Sequence, residues 1–270
     1  MDDDVDAGSF DRSASERKRA AANAFDDAAA HYLESDTHSG GADLERLADW
    51  CADATRALDV ATGAGHTAGA VAARGVDRVV AADAAPSMVA TALEADDGLE
   101  GAVLDAERLP FAPGSFDAIT CRIAAHHFPD PVAFVSEVAR VLEPGGTFAF
   151  EDSVAPEDEG LGEFINHVER LRDPTHVECY TTERWLGWLR AAGFEIEATE
   201  RTKKRLDFEH WADGQSCTGE PRYEVQRLLR EASPDAKAAF EIEVVDGRVE
   251  SFANHKCLIR ARRLESPRYS

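Results

Sequence analysis

One short segment of the chain has the residue types and spacing of a nucleoside-binding turn. Leu58-Asp59-Val60-Ala61-Thr62-Gly63-Ala64-Gly65-His66-Thr67-Ala68 runs from a predicted strand through a tight turn into a predicted helix. Glycines 63 and 65 permit unusual backbone angles there and let a ligand approach the main chain, although such glycines are often only structural. Asp83 ends the next predicted strand, where a carboxylate can accept hydrogen bonds from both hydroxyls of a ribose. Together these features favour an adenosine-containing cofactor.

Two classes of cofactor share this layout. A dinucleotide would place its pyrophosphate at the helix N-terminus. S-adenosylmethionine (SAM) has no phosphate, and its amino-acid end would lie near an acid such as Asp59. None of the four tyrosines is followed four residues later by lysine, so the Tyr-x-x-x-Lys pair of one dehydrogenase class is missing. SAM is therefore favoured, with a nicotinamide-dependent oxidoreductase and a non-catalytic SAM-binding module as alternatives.

A pair of histidines, His126 and His127, follows the strand predicted over Phe116–Arg122. Methyl transfer from a sulfonium needs alignment, exclusion of water and, for a nucleophile that carries a proton, a base. Histidine titrates near neutrality and suits that role for a phenol or an enol. The pair could equally cap the helix near Asp130 or pack structurally. We favour His127 as the inward-facing group, and we expect no metal because no matched carboxylate spacing accompanies the pair.

The elements that position these residues alternate between strands and helices. Predicted strands cover Arg56–Ala61, Arg78–Ala82, Gly101–Leu104, Phe116–Arg122 and Thr147–Glu151, and predicted helices cover His66–Arg74, Pro86–Glu94 and Asp130–Leu142. This alternation implies right-handed crossovers and a mainly parallel sheet covered on both faces. After Asp152 the pattern becomes helical and then returns to strands around an Asp246-Gly247 turn, which predicts a cap at one edge of the sheet.

These residues resemble the class I SAM-dependent methyltransferases, and most closely the methyltransferase type 11 subgroup related to ubiquinone and menaquinone C-methyltransferases. The similar segments are Leu58–Ala68, Val79–Asp83 with Ser87-Met88, Asp105–Phe111 with Gly114–Asp117, and Val138–Gly146. The cap is also similar at Arg172–Val177 and Trp185–Phe194. One departure is Ala61-Thr62, where many relatives have Gly-x.

The resemblance implies an α/β fold: a Rossmann-like three-layer sandwich with a seven-stranded, mostly parallel sheet, an antiparallel last strand and a helical cap insertion. It implies a single methyltransferase domain over residues 20–270. Within it, 20–152 would form the SAM-binding core, 153–235 the cap and strand six, and 236–270 the C-terminal strands. Residues 1–19 are predicted from their charge to form a mobile acidic arm.

The resemblance also assigns roles to residues. The predicted cofactor set is Asp59, Thr62, Gly63, Gly65, Asp83, Ala84, Met88, Asp105, Ala106 and Arg122. In it, Asp59 and the glycines line the methionine end, Asp83 binds the ribose, and Asp105 and Met88 contact the adenine. The predicted acceptor-side residues are Tyr32, Arg172, His176 and Tyr180. Arg172 could hold an anionic acceptor or form a surface ion pair. We expect a small acceptor, aromatic or quinone-like, with C- and O-methylation both open.

The charge and cysteine content of the chain limit which partners and which cellular environment we expect. The 270 residues carry 52 acids against 29 bases and a formal net charge of -23, which argues against a nucleic-acid partner. Acid-rich, lysine-poor surfaces stay hydrated in salt, so we hypothesise a high-salt cytoplasm, and a melting temperature that rises with KCl would support it. The five scattered cysteines are expected to be reduced and structural. Neither a signal peptide nor a transmembrane helix is expected, and the oligomeric state is not predicted.

Overall fold

The computed structural model of the protein describes residues 14–26 and 40–265, and every structural statement below concerns those residues. The helices are α1 over 14–26, α2 Ala42–Trp50, α3 His66–Ala72, α4 Pro86–Ala95, α5 Pro131–Val141, α6 Glu159–Arg172, α7 Thr182–Ala191, α8 Phe208–Asp213, α9 Gly219–Arg230 and α10 Pro234–Ala239. The strands are β1 Arg56–Val60, β2 Arg78–Asp83, β3 Glu100–Val103, β4 Phe116–Arg122, β5 Leu142–Ser153, β6 Phe194–Asp207, β7 Glu243–Val245 and β8 Arg248–Arg263. A 3-10 turn covers Ala125–His127.

The described strands form one sheet in the order β3-β2-β1-β4-β5-β8-β6. Strands β1 to β5 pair in parallel, and β8 lies antiparallel between β5 and β6. The short β7 pairs with β8 across the predicted Asp246-Gly247 turn and adds an eighth strand to the seven expected. The predicted Rossmann-like α/β fold with an antiparallel last strand is confirmed.

The sheet is buried on both faces because successive side chains of a strand point to opposite sides. Leu58 and Val60 of β1 belong to one apolar cluster, which lies on the face of the sheet that α5 and α7 cover. Ala57 of β1, together with Val79 and Ala81 of β2, packs into a second cluster beneath α2 and α3. Strands that are apolar at every position therefore suit the centre of this sheet.

The chain order reverses between β1 and β4, whose neighbours β2 and β5 lie on opposite sides. In open parallel sheets, ligands bind beyond the carboxyl ends of the strands at such a switch point. The glycine turn follows β1, Asp83 ends β2 and the two histidines follow β4. The topology therefore brings the predicted site residues to one edge of the sheet.

A third apolar cluster joins α6, α8, α9 and α10 to the far part of β8, with Phe208, Phe240 and Phe252 fully buried in it. Side chains at the helix starts accept hydrogen bonds from backbone N–H groups of the first turn: Asp158 from Leu161, Asp207 from His210 and Ser233 from Ala236. This cluster holds the end of α6 and the start of α8 above the switch point.

Candidate active site

A cavity of about 590 Å³ opens at the carboxyl ends of the central strands. We call its two parts the cofactor end, which contains Gly63, Asp83, Met88, Asp105 and Ala106, and the acceptor end, which contains His126, His127, Arg172, Asp173 and His176. Its volume lies within the range usual for small-molecule sites.

The two glycines of the turn have different physical roles. Gly63 has a φ of +54°, and a Cβ built on it meets no atom within 4 Å, so its backbone faces open space in the cavity. Gly65 has a φ of +87°, and a Cβ there would lie 2.7 Å from the Cβ of Ala92 on α4. Gly65 is thus required for the close packing of helices, and it is not among the residues that line the cavity.

Ala61 carries backbone strain at the point where the sequence departs from the family. Its φ is +55°, in the left-handed region that costs a residue with a Cβ about 1–2 kcal/mol. Ile123, which follows β4, also has a positive φ of 54°. Both strained residues line the cavity, and such strain persists where surrounding structure fixes the backbone around a site.

Asp59 supports the turn from beneath and does not line the cavity. It is buried and accepts hydrogen bonds from the hydroxyls of Thr62 at 2.7 Å and Thr120 at 2.6 Å. Burial raises the pKa of Asp59 to about 6, and the two hydroxyls partly offset that rise. Thr62 lines the cavity and is held in place by Asp59, the acid that we predicted at the methionine end of the cofactor.

Asp83 lies at the end of β2 and lines the cofactor end. Its two oxygens accept hydrogen bonds from the backbone N–H of Gly63 at 3.0 Å and of Ala85 at 2.9 Å. Burial raises its pKa, while those N–H groups favour the ionised form. Ala84 also lines the cavity, and Met88 packs with Ala85 and with Phe25 of α1.

Helix α1 contacts the cofactor end near Asp105. Lys18 lies 2.8 Å from Asp105 and 2.5 Å from Glu107, and the other oxygen of Asp105 accepts the backbone N–H of Glu107. Asp26 accepts hydrogen bonds from both the backbone and the hydroxyl of Ser87. Residues 14–19 of the predicted arm are therefore part of a helix that lies against the site.

Arg122 lines the cavity from within a buried ionic cluster. Its guanidinium donates to Glu151 at 2.8 Å and to Asp43 at 2.9 Å, and Lys256 lies 2.8 Å from the other oxygen of Glu151. Burial alone would raise the pKa of Asp43, but its hydrogen bond with Glu151 and the charges of Arg122 and Lys256 outweigh burial and lower that pKa strongly. Arg122 thus ties α2, β4 and β5 together behind the site, in addition to any contact with a ligand.

His127 is held at its Nδ1 by Thr175, whose carbonyl oxygen lies at 3.2 Å and whose hydroxyl lies at 3.1 Å. The Thr175 hydroxyl donates to Asp173 at 2.6 Å, so Nδ1 of His127 is the donor and Nε2 is left as the basic nitrogen. Nε2 lies 4.0 Å from Asp173. Burial, followed by the charge of His126, lowers the pKa of His127 to about 4, which keeps the ring neutral at pH 7.

His126 forms a different pair. Its Nδ1 lies 2.6 Å from Asp152, a buried carboxylate at the end of β5. Burial disfavours the imidazolium, but the nearby carboxylates, with Asp152 contributing most, outweigh it and raise the pKa of His126. The His126 carbonyl accepts the backbone N–H of Val177 and of Glu178, which anchors the cap segment to this turn.

His176 and Arg172 complete the acceptor end from the cap. His176 donates from Nε2 to Asn166 at 2.9 Å, and burial lowers its pKa to about 2, so it is neutral. Arg172 stacks over Trp211 at 4.8 Å, donates to the Trp211 carbonyl and lies 3.4 Å from Glu169. Both predicted residues line the cavity.

Of the two predicted tyrosines, only Tyr180 is among the described residues, and it does not line the cavity. Tyr180 packs against Trp185 and Trp188 beneath Arg184 and is not among the residues that line the cavity, so its predicted role gains no support. Tyr32 lies outside the described residues. Across residues 14–26 and 40–265, no group of three or more His, Cys, Asp or Glu side chains is placed to hold a metal ion.

Sequence reasoning missed Lys18, Asp152, Asp173 and Thr175, all of which contact predicted site residues. Asp152 had a usable signal, because it ends an apolar strand next to the one that leads to the histidines. Asp173 and Thr175 lie in the cap segment that contains His176, and their spacing alone carries no such signal.

Comparison with known proteins agrees with the fold, which is that of a class I SAM-dependent methyltransferase. Residues 58–150 match a family model described as a methyltransferase domain. The chain is 36% identical over 216 residues to the "Uncharacterized methyltransferase YcgJ" of Bacillus subtilis, covering 78% of this chain and 85% of that protein. The chain therefore belongs to the methyltransferase family.

Two further relatives bear on the comparison. A protein of Bacillus halodurans C-125, solved as a candidate methyltransferase, is 38% identical with a TM-score of 0.80, covering 83% of this chain and 100% of that chain. A demethylmenaquinone methyltransferase of Beutenbergia cavernae is 39% identical over 141 residues, or 50% of this chain and 58% of that protein. The predicted family and enzyme class are confirmed, and the family implies SAM as methyl donor rather than a nicotinamide. Across its described residues the chain contains no helix long and apolar enough to cross a membrane.

Proposed function

We propose that the protein transfers a methyl group from SAM to a hydroxyl of a small, polar acceptor, with His127 as the base. The observation that carries this proposal is the state of His127, a neutral ring anchored at Nδ1 by Thr175 with its Nε2 next to Asp173. An imidazole that is neutral at pH 7 can accept a proton, and an adjacent carboxylate stabilises the imidazolium that forms.

The cofactor end fits SAM in its own residues. Two carboxylates, Asp83 at the end of β2 and Asp105 just after β3, line this end, and the apolar side chains of Met88 and Phe25 pack together in the same lining. The open backbone at Gly63 leaves room for the amino-acid end of the cofactor. We propose that Asp83 binds the ribose hydroxyls, that Asp105 and the Ala106 amide bind the adenine, and that Thr62 and Ala84 line the same part.

When bound, SAM supplies a methyl group on a positively charged sulfur. The acceptor oxygen forms the new bond to the methyl carbon with its own electron pair, its proton moves to Nε2 of His127, and the sulfur keeps the electrons of the broken bond. Arg122 and the backbone N–H of Ile123 both bond to Glu151 and hold the backbone beside the base, and side chains of α1 line the cavity next to Asp105.

The acceptor end contains the polar side chains of His126, His127 and Arg172 beside the apolar side chains of Leu206 and Trp211, which supports a small acceptor that carries polar groups on an apolar or aromatic frame. The menaquinone-related relative aligns over only half of this chain, so it supports the chemistry of transfer more than the choice of acceptor. An enolisable carbon acid is a second candidate, because the same base would serve C-methylation. The single-domain organisation, the cytoplasmic location and the lack of a nucleic-acid partner stay predictions.

Calorimetry with SAM, followed by methyl transfer to a panel of phenols and enols, tests this function. We expect SAM to bind in a one-to-one complex and methyl transfer to require His127. A His127→Gln protein that binds SAM and still methylates at the wild-type rate would contradict the role of the base. SAM binding without transfer to any acceptor would instead favour a non-catalytic SAM-binding module.

A further inference from the structure

We propose that the acceptor carries two neighbouring oxygens, one a hydroxyl that His127 deprotonates and the other an oxygen that His126 binds as a hydrogen-bond donor. This inference rests on the proposed function and names the class of its substrate. Catechols, hydroxybenzoates and hydroxy-enones share this chemistry, whereas a phenol with a single oxygen does not.

The first support is the fixed geometry of the two rings. His126 and His127 are consecutive residues of one 3-10 turn, their ring centroids are 4.2 Å apart, and both rings line the cavity. The backbone N–H of His127 bonds to the Ala124 carbonyl, and that of the next residue bonds to the Ala125 carbonyl. One small ligand can therefore contact both rings at once.

The second support is the way each ring is anchored. The protein uses Nδ1 of His126 for Asp152 and Nδ1 of His127 for Thr175. Within the described residues, the Nε2 atoms of His126 and His127 make no hydrogen bond, and neither atom is fully buried, so a ligand can reach both. Each ring thus offers its second nitrogen to the cavity.

The third support is the difference in charge between the two nitrogens. Burial disfavours the imidazolium of His126, but Asp152 on β5, Glu169 on α6 and Asp173 after α6 outweigh that effect and raise its pKa. Burial and the neighbouring His126 lower the pKa of His127, and burial lowers that of His176. Neighbouring groups whose pKa values are pushed apart divide the acid and base roles between them.

These states require complementary groups on the ligand. The Nε2 of His127 accepts the proton of the reacting hydroxyl, and the Nε2–H of His126 donates to an acceptor atom beside it. A ligand with only one oxygen would leave the charged donor of His126 without a partner in a closed site, which costs affinity. The same donor stabilises the negative charge that develops as the hydroxyl loses its proton.

Calorimetry with four probes, in the presence and absence of S-adenosylhomocysteine, tests this inference. The probes are phenol, 1,4-dihydroxybenzene, catechol and 2-hydroxybenzoate, of which only the last two have neighbouring oxygens. Because a hydrogen bond to a charged group is involved, we expect catechol, 2-hydroxybenzoate or both to bind about tenfold or more tightly than phenol. A preference for catechol alone would identify a hydroxyl, and one for 2-hydroxybenzoate alone a carboxylate, as the second oxygen.

The variant His126→Gln should reduce the preference to within a factor of about three, because its neutral amide donates more weakly. The control His167→Gln changes an exposed histidine of α6 and should keep the preference. If His126→Gln does not fold, the wild type supplies the same test, since its preference should fall as pH rises through the raised pKa of His126. Asp152→Asn should move that fall to lower pH.

Equal affinity for all four probes, including no measurable binding of any, would overturn the inference, as would a preference that survives in His126→Gln. If the protein gave such a result but still bound S-adenosylhomocysteine and transferred methyl groups, the proposed function would remain supported. A protein that binds the cofactor but transfers no methyl group would contradict the proposed function, whatever the probe preference.

Discussion

The cofactor end and the acceptor end of the cavity are built by different parts of the chain. At the cofactor end, Gly63 and Asp83 are 20 residues apart, and the backbone N–H of Gly63 bonds directly to Asp83. At the acceptor end, His127 bonds to Thr175, 48 residues away, and Asn254 donates to Glu169, 85 residues away. One end is fixed by strand ends and main chain, the other by side chains from separate elements.

Because the two ends are built differently, cofactor binding and acceptor binding can vary independently. A turn fixed by parallel strands keeps its geometry whatever the cap contains, so binding of a common cofactor can be retained. The acceptor end depends on α6, on the segment that follows it and on β8, all of which belong to or lie beside the cap. Substitutions there would alter the acceptor without disturbing the cofactor.

Removing the base should produce the largest effect and confine it to the acceptor end. We expect His127→Gln to lower kcat by about 10²–10⁴-fold, because general base catalysis contributes that much. The affinity for SAM should stay within about twofold, since His127 belongs to the acceptor end. Single-turnover methyl transfer and calorimetry measure the two quantities.

The control for this prediction is His167→Gln, an exposed histidine of α6 outside the cavity. It should leave both quantities unchanged. A large loss of SAM affinity in His127→Gln would show that the two ends of the cavity are not independent.

The reciprocal change at the cofactor end is Asp83→Asn. It replaces the half-buried carboxylate that bonds to Gly63 and Ala85, and it should weaken SAM binding about 10–100-fold through lost charged hydrogen bonds. At saturating SAM, kcat should stay near the wild-type value because the base is intact. Calorimetry and initial rates at high SAM check this, with the exposed Asp97→Asn as the matched control.

Acidification should change the contributions of Asp59 and His176 to the free energy of unfolding in opposite directions. The pKa of Asp59 is raised to about 6, so its contribution to stability is present at low pH and is lost as pH rises through 6. The pKa of His176 is lowered from 6.5 to about 2, so the unfolded chain binds a proton that the folded chain resists, and stability falls as pH drops below 6.5.

His176→Gln should therefore reduce the loss of stability on acidification. Between pH 7 and pH 5 we expect the variant to lose about 2 kcal/mol less in free energy of unfolding than the wild type. Gln retains a donor for Asn166, which limits the cost at pH 7. Urea unfolding at the two pH values measures the difference, and parallel pH profiles for the two proteins would contradict the neutral, buried state of His176.

The cofactor end, which is built from local segments, could be predicted from the sequence more fully than the acceptor end, which is built from distant ones. The parallel sheet, the glycine turn and the place of Asp83 follow from local patterns, because residue types set the turn and the alternation of strands and helices sets the sheet. The partners of the histidines did not follow, since Asp152, Asp173 and Thr175 act through side-chain bonds between distant segments. The role of Gly65 also needed the structure, because only packing shows Ala92 behind it.

The smallest expected effect concerns Ala61, which occupies a left-handed position in the turn with a φ of +55°. Ala61→Gly removes the steric cost of its Cβ, about 1–2 kcal/mol, but adds freedom to the unfolded chain worth about 0.4–1 kcal/mol. We expect a net gain of up to about 1 kcal/mol in the free energy of unfolding, with SAM affinity unchanged or slightly improved. Ala70→Gly, inside α3, should instead lose about 1 kcal/mol because its backbone is helical. Urea unfolding of the two variants should thus give shifts of opposite sign, and a loss of stability in both would show that the turn of the cofactor end is held without strain.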